Sequence, residues 1–309
     1  MSNANENLLS MLEIQTRYGV SEKEFGEKAR EFQIPIHSSG KYKEKVLDQY
    51  FTPLERDVYE SKVLAISNQK GGEGKTTISL YLTEALSKDA KVLLIDWDPQ
   101  ANASKLLLES VGSSIFECLG YRNSQKRSVR SILHTINPNF DFAPSSISLA
   151  NLTTPYELGD FSLLKDALKP LRSAYEYIIV DCPPSLGLGL ENAFIAADYV
   201  LVPIQTRLFS VQGLQDLFAT YQKIRSKGNP HLLLLGAILN QYEESRALSG
   251  LSVGIKKYFP VFDTIVPRRE SIPQSQAKRK MLAGCDKVSR NTFYQLAKEV
   301  REKIDVEEE

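Results

Sequence analysis

The sequence predicts an α/β protein built on a doubly wound, mostly parallel sheet, and three observations lead there. The apolar run Val63-Leu64-Ala65-Ile66 passes into a glycine-rich loop, and Lys75-Thr76-Thr77 then opens a helical pattern. Strand, loop and helix in that order are what a phosphate-binding loop requires. Two further apolar runs, 91–95 and 177–180, each end on an aspartate, Asp96 and Asp181. Carboxylates at the C-terminal ends of parallel strands stand where open α/β sheets bind ligands. Strand-like and helical patterns then alternate to about residue 304, as crossover connections demand.

Bulk properties bound the remainder. A chain of 309 residues holds one domain of about 250 residues and a small appendage, and the first strand near residue 62 places the boundary between 1–60 and 61–309. No apolar run approaches the ~20 residues of a membrane span. Residues 1–7 lack a basic region leading into an apolar one, so the sequence reads as cytoplasmic. Cys118, Cys182 and Cys285 have no paired spacing, which points to reduced thiols and away from a zinc site. Lys plus Arg number 38 and Asp plus Glu 38, so any nucleic-acid binding must come from a local basic patch.

Residues 1–60 read as a helical extension. Leu8, Leu9, Leu12 and Ile14 fall at helical spacing; Ser21 with Glu24 has the form of a capping box, with Phe25, Ala29 and Phe32 on one face. After a turn over 33–40, Lys41 opens another helical pattern. The arrangement is open to two readings, a helix-turn-helix DNA element or a support for a dimer.

In the loop, Gly71, Gly72 and Gly74 permit positive φ angles and close approach of backbone N–H groups to phosphate oxygens. Lys75 supplies charge to the β/γ-phosphates, the Thr76 hydroxyl is placed for Mg²⁺, and Thr77 continues the helix start. With Lys70 the loop becomes Lys-Gly-Gly-x-Gly-Lys-Thr, which resembles the deviant Walker A box of the ParA/MinD ATPases, a branch of the P-loop NTPases. The resemblance implies bound ATP or ADP with Mg²⁺ and an ATP-dependent homodimer in which Lys70 touches the nucleotide of the other subunit. The x position, usually small or β-branched, is Glu73. A carboxylate beside a triphosphate is unfavourable unless it turns outward or toward a lysine.

Further boxes follow in the family's order. Asp96-Trp97-Asp98-Pro99-Gln100 resembles the second box, which implies that Asp98 orients the attacking water and Asp96 helps hold Mg²⁺ through water. Asp181-Cys182-Pro183-Pro184-Ser185 resembles the Walker B element, with Asp181 toward Mg²⁺. The strand over 232–240 ends in Asn240, placed by the resemblance at adenine, and Val266-Pro267-Arg268 resembles a strand end whose backbone lies near the base. Arg246 matches an arginine near the DNA-facing surface of relatives.

A sizeable basic excess begins at Arg268 and takes in Arg269, Lys278, Arg279, Lys280, Lys287 and Arg290, set against Glu270 and Asp286; in relatives such a region contacts the DNA backbone. The closest resemblance is to ParA-type partition proteins with an N-terminal extension. It implies slow, Mg²⁺-dependent hydrolysis of ATP, non-specific double-stranded DNA as partner, nucleoid association, and a ParB-like adaptor that stimulates hydrolysis and releases the dimer. Two alternatives stay open: a nucleotide-controlled repressor acting through residues 1–60, and a MinD-like membrane positioning ATPase. The acidic end, Glu307-Glu308-Glu309, disfavours the membrane role because a membrane-surface helix should be cationic.

Overall fold

A computed structural model describes residues 8–9, 11, 14, 18, 20, 22–51, 61–153, 155, 157–205, 211–242 and 254–308. They belong to two compact units, Met1–Val58 and Tyr59–Glu309. In the first, β1 (Leu8–Leu9) pairs antiparallel with β2 (Tyr42–Lys43), alongside helices α1 (Glu22–Glu31) and α2 (Glu44–Leu47). Ile14, Tyr18, Phe25, Ile34, Leu47 and Phe51 form its own core. The purely helical reading of this extension is therefore corrected. Leu8 and Leu9 are strand, and the helix expected from Lys41 begins only at Glu44 and lasts four residues. Tyr42 explains the change: aromatic residues favour strands, and it pairs with Leu9 while meeting the Phe25 ring edge-on at 4.9 Å. Phe25 and Ala29 do share the buried face of α1, but Phe32 lies past its last residue and is exposed, its ring stacked on Tyr50; Ser21 lies outside the described residues.

The second unit carries a seven-stranded sheet in the order β5–β6–β4–β7–β3–β8–β9. Its strands are β3 (Lys62–Ile66), β4 (Val92–Asp96), β5 (His134–Asn137), β6 (Phe140–Ala143), β7 (Tyr177–Asp181), β8 (Tyr199–Gln205) and β9 (Leu233–Asn240). All pair in parallel except β5, which runs antiparallel to β6 at the edge. Both faces are covered, and residues alternate between two cores as the pleat demands. Val63, Ala65, Leu93, Ile95, Ile178 and Val180 enter one core, with α5 (Leu163–Leu168), α6 (Leu188–Ala196) and α7 (Val211–Lys227). Leu64, Ile66, Val92, Leu94 and Ile179 enter the other, with α3 (Lys75–Leu86) and α9 (Lys287–Glu308). Two shorter helices, α4 (Asn102–Leu107) and α8 (Ser271–Ala277), follow β4 and precede α9.

The segment 261–267, which includes the expected strand end, runs beside β9 without forming a continuous strand: isolated bridges join Val261 to Ala237 and Pro267 to Tyr242, and the Phe262 and Val266 N–H groups donate to the Ala237 and Leu239 carbonyls at 2.9 and 2.8 Å. Between them Asp263 and Thr264 donate their N–H groups to the Glu299 carboxylate of α9 at 2.7 and 2.8 Å, which bends the chain away from a continuous ladder. The parallel sheet delivers β3, β4, β7, β8 and β9 to one end with their C-termini together, and the candidate site lies there.

Candidate active site

The loop leaves β3 at Ser67 and re-enters regular structure at Lys75, the first residue of α3. Gly72 and Gly74 hold φ of 83° and 85°, the left-handed backbone expected of glycine in this loop, whereas Gly71 does not adopt it. Gly74 is fixed twice over, because a Cβ there would lie 2.0 Å from the Asn240 amide nitrogen. That amide donates to the Glu73 carbonyl at 2.9 Å, so Asn240 at the end of β9 grips the loop backbone. Lys75 is 7% exposed as a residue, and its ammonium donates to the Lys70 carbonyl at 3.1 Å. Burial lowers its pKa, against the opposing pull of Asp181 and Asp98. The N-terminus of α3, a lysine and two left-handed glycines therefore converge on one point, the chemistry that cradles an anion.

Two carboxylates face each other beneath the loop because Asp96 and Asp181 occupy paired positions on β4 and β7. Asp181 is 1% exposed. One of its oxygens accepts from Ser79 at 3.0 Å, the Thr76 hydroxyl lies within hydrogen-bond reach of the carboxylate, and its other oxygen has no partner. Burial first, and then the Asp96 charge, raises its pKa. Asp96 is also raised by burial, although the Ser104 hydroxyl and N–H hold one oxygen at 2.7 and 2.8 Å. A buried carboxylate oxygen with no protein donor, beside a threonine hydroxyl, suits a hard cation that takes few protein oxygens and completes its shell with phosphate and water. Asp96, whose oxygens already accept N–H and O–H groups, suits contact through water. Asp98 is 7% exposed, and its carboxylate accepts the Gln100 N–H at 2.9 Å. It lines a cavity of about 490 Å³ bounded by Trp97, Pro99, Gly189 and the Pro183-Pro184 loop.

Thr77, Asn240, Pro267, Arg268 and Arg269 line a second cavity of about 310 Å³. The structure thus brings the two residues expected near a base, Asn240 and Pro267, together with the helix start. Arg268, Arg269, Lys278, Arg279 and Lys280 are all exposed, and the Arg279 guanidinium reaches the Lys105 carbonyl at 3.3 Å. Arg246 lies outside the described residues. Glu73 does not turn outward: it is 3% exposed and lies toward Lys70 and the end of β8. Three contributors had no assigned role in the sequence: Ser79, one helical turn past Thr76; Ser104 on Asp96; and Gln205, whose side-chain amide donates to the Gly72 carbonyl while its N–H donates to Glu73. Spacing within the first helix could have revealed Ser79; the others depend on cross-strand neighbours.

A parallel sheet with a lysine-bearing phosphate loop and paired acidic strand ends defines a P-loop nucleotide-binding protein. An AAA domain family model matches residues 61–234. The chromosome partitioning protein ParA of Caulobacter vibrioides is 34% identical over 256 residues, covering 77% of this chain and 93% of that protein. A plasmid partition protein of Borrelia burgdorferi bound to AMPPNP superposes with a TM-score of 0.65 at 27% identity, over 80% of this chain and 99% of that one. Cobyrinic acid a,c-diamide synthase of Mycobacterium smegmatis, with bound ADP and magnesium, gives 0.66 at 28% identity over 77% and 93%. The chain belongs to the ParA-type partition ATPase family.

Proposed function

We propose that this chain is a partition ATPase that binds ATP, pairs with a second copy, holds DNA without reading its sequence, and lets go when an adaptor stimulates hydrolysis. The observation that carries the reading is the convergence of Lys70, Lys75, Asp98 and the orphaned Asp181 oxygen around the loop start of α3. Backbone N–H groups of Gly71, Gly72 and Gly74 and the Lys75 ammonium would hold the β- and γ-phosphates. Asp98 would hold and orient the water that attacks phosphorus. Magnesium, held by Thr76 and Asp181 and through water by Asp96, would neutralise charge on the phosphate oxygens. Lys70 would reach the nucleotide of the partner copy, and Asn240 with the Pro267 backbone would border the base. Turnover alone would be slow, because pairing and the adaptor complete the site.

The exposed cations from Arg268 to Lys280 would meet the DNA backbone, placing the protein on the nucleoid, and the acidic end of α9 opposes attachment to anionic lipid. Lys75→Ala should abolish nucleotide binding. Asp98→Ala should keep ATP bound and accumulate dimer by light scattering. A monomer in saturating ATP would count against the whole scheme. The compact first unit with its own core favours a second reading, sequence-specific DNA binding by residues 1–60 under nucleotide control. A footprint that survives Asp98→Ala and is lost on deletion of 1–60 would support it.

A further inference from the structure

Glu73 stands at the loop position usually given to a small or β-branched residue, and its carboxylate has a neighbour at each oxygen. One oxygen accepts the Gln205 N–H at the end of β8, and the other lies 3.9 Å from the Lys70 ammonium. Its backbone carbonyl accepts the Asn240 amide at 2.9 Å, and the Gln205 side chain donates in return to the Gly72 carbonyl. The Gly72–Glu73 stretch is therefore clamped to the ends of both β8 and β9. Within that clamp the Glu73 side chain is 3% exposed, whereas the Lys70 side chain is 41% exposed and lies at the rim. Burial pushes the Glu73 carboxyl up, but the Gln205 N–H and the charges of Lys70 and Lys75 oppose this.

We propose that Glu73 is a positioning residue that holds Lys70 on its own subunit and thereby sets how readily two ATP-bound copies pair. This rests on the partition reading, in which Lys70 serves the partner's nucleotide. A lysine drawn toward its own Glu73 must leave that carboxylate before it can cross, and a symmetric dimer must break two such contacts. Glu73 thus opposes pairing through charge while supporting the loop through its hydrogen bond. Substitution by glutamine separates the two effects, since an amide oxygen still accepts from Gln205.

The experiment measures the dimer dissociation constant by sedimentation in saturating ATP and Mg²⁺, in full-length protein carrying Asp98→Ala to suppress turnover. Adding Glu73→Gln should tighten the dimer roughly 2- to 30-fold, the range for releasing two partly exposed ion pairs. The gain should shrink toward none as salt rises from about 0.05 to 0.5 M, because screening weakens the pair being removed. It should also be absent in a Lys70→Ala background. A dimer unchanged or weakened by Glu73→Gln, or a gain that ignores salt and Lys70, would overturn the inference and leave the partition reading standing. If the Asp98→Ala protein stays monomeric at every concentration in ATP, the partition reading fails and this inference fails with it.

Discussion

Gly74→Ala tests the loop geometry directly. The backbone there has φ of 85°, and an added Cβ would sit 2.0 Å from the Asn240 amide nitrogen, far inside contact distance. A left-handed alanine costs about 1–2 kcal/mol. Driving Asn240 away strips the Glu73 carbonyl and the buried amide of their mutual hydrogen bond, roughly 1–3 kcal/mol more. Together these amount to about 2–5 kcal/mol against the described loop, which is about 30- to 4000-fold in nucleotide affinity if binding requires that loop. Gly72, with φ of 83° and nothing within 4 Å of a built Cβ, should suffer only the backbone part. Isothermal titration with ATP and ADP measures both, beside a thermal melt to verify folding. In an Asn240→Ala background, Gly74→Ala should also fall to the backbone part, about 1–2 kcal/mol. Wild-type affinity for Gly74→Ala, or an equal loss in both backgrounds, would refute the reasoning.

Asp141 on β6 gathers Lys91 at 2.8 Å, Thr135 at 2.7 Å and Tyr175 at 2.9 Å. Burial alone would raise its carboxyl, but these partners outweigh it and hold the pKa below the ordinary 3.8. A depressed pKa contributes stability above the ordinary value that is lost on acidification through the folded one. Asp141→Asn should therefore cost about 1–3 kcal/mol in urea melts at neutral pH, with the gap narrowing below about pH 3.8; a constant gap would contradict this. Charge reversal at Arg268, Arg269, Lys278 and Lys280 should weaken DNA binding alike for unrelated sequences and flatten the salt dependence by roughly 0.9 in slope per lost phosphate contact. Unchanged binding in a filter or anisotropy assay would move the DNA surface elsewhere.

Much of the second unit was legible because its chemistry is local. Val63 to Thr77 encodes strand, turn and helix in one stretch, and the β4 and β7 runs end on the aspartates that the parallel register brings side by side. Less legible features depend on partners distant in sequence. His134–Asn137 is too polar to announce a strand, yet it pairs as the antiparallel edge of the sheet. Leu8 and Leu9 carry no sign that Lys43 and Tyr42 will pair with them. Asn240 closes β9 as its apolar run predicts, but its grip on the loop follows from Gly74 lacking a Cβ 166 positions earlier. Glu73 showed as a departure from pattern; its burial against Gln205 emerges only once β8 lies beside β3.

The most direct test of the account is binding to unrelated double-stranded DNA with no nucleotide, with ADP, and with ATP plus Mg²⁺, each at two salt concentrations. The account predicts binding only with ATP, indifferent to sequence and falling steeply as salt rises. Binding that ignores nucleotide would contradict it and move the DNA contact to residues 1–60, while absence of binding in every state would remove DNA from the account altogether.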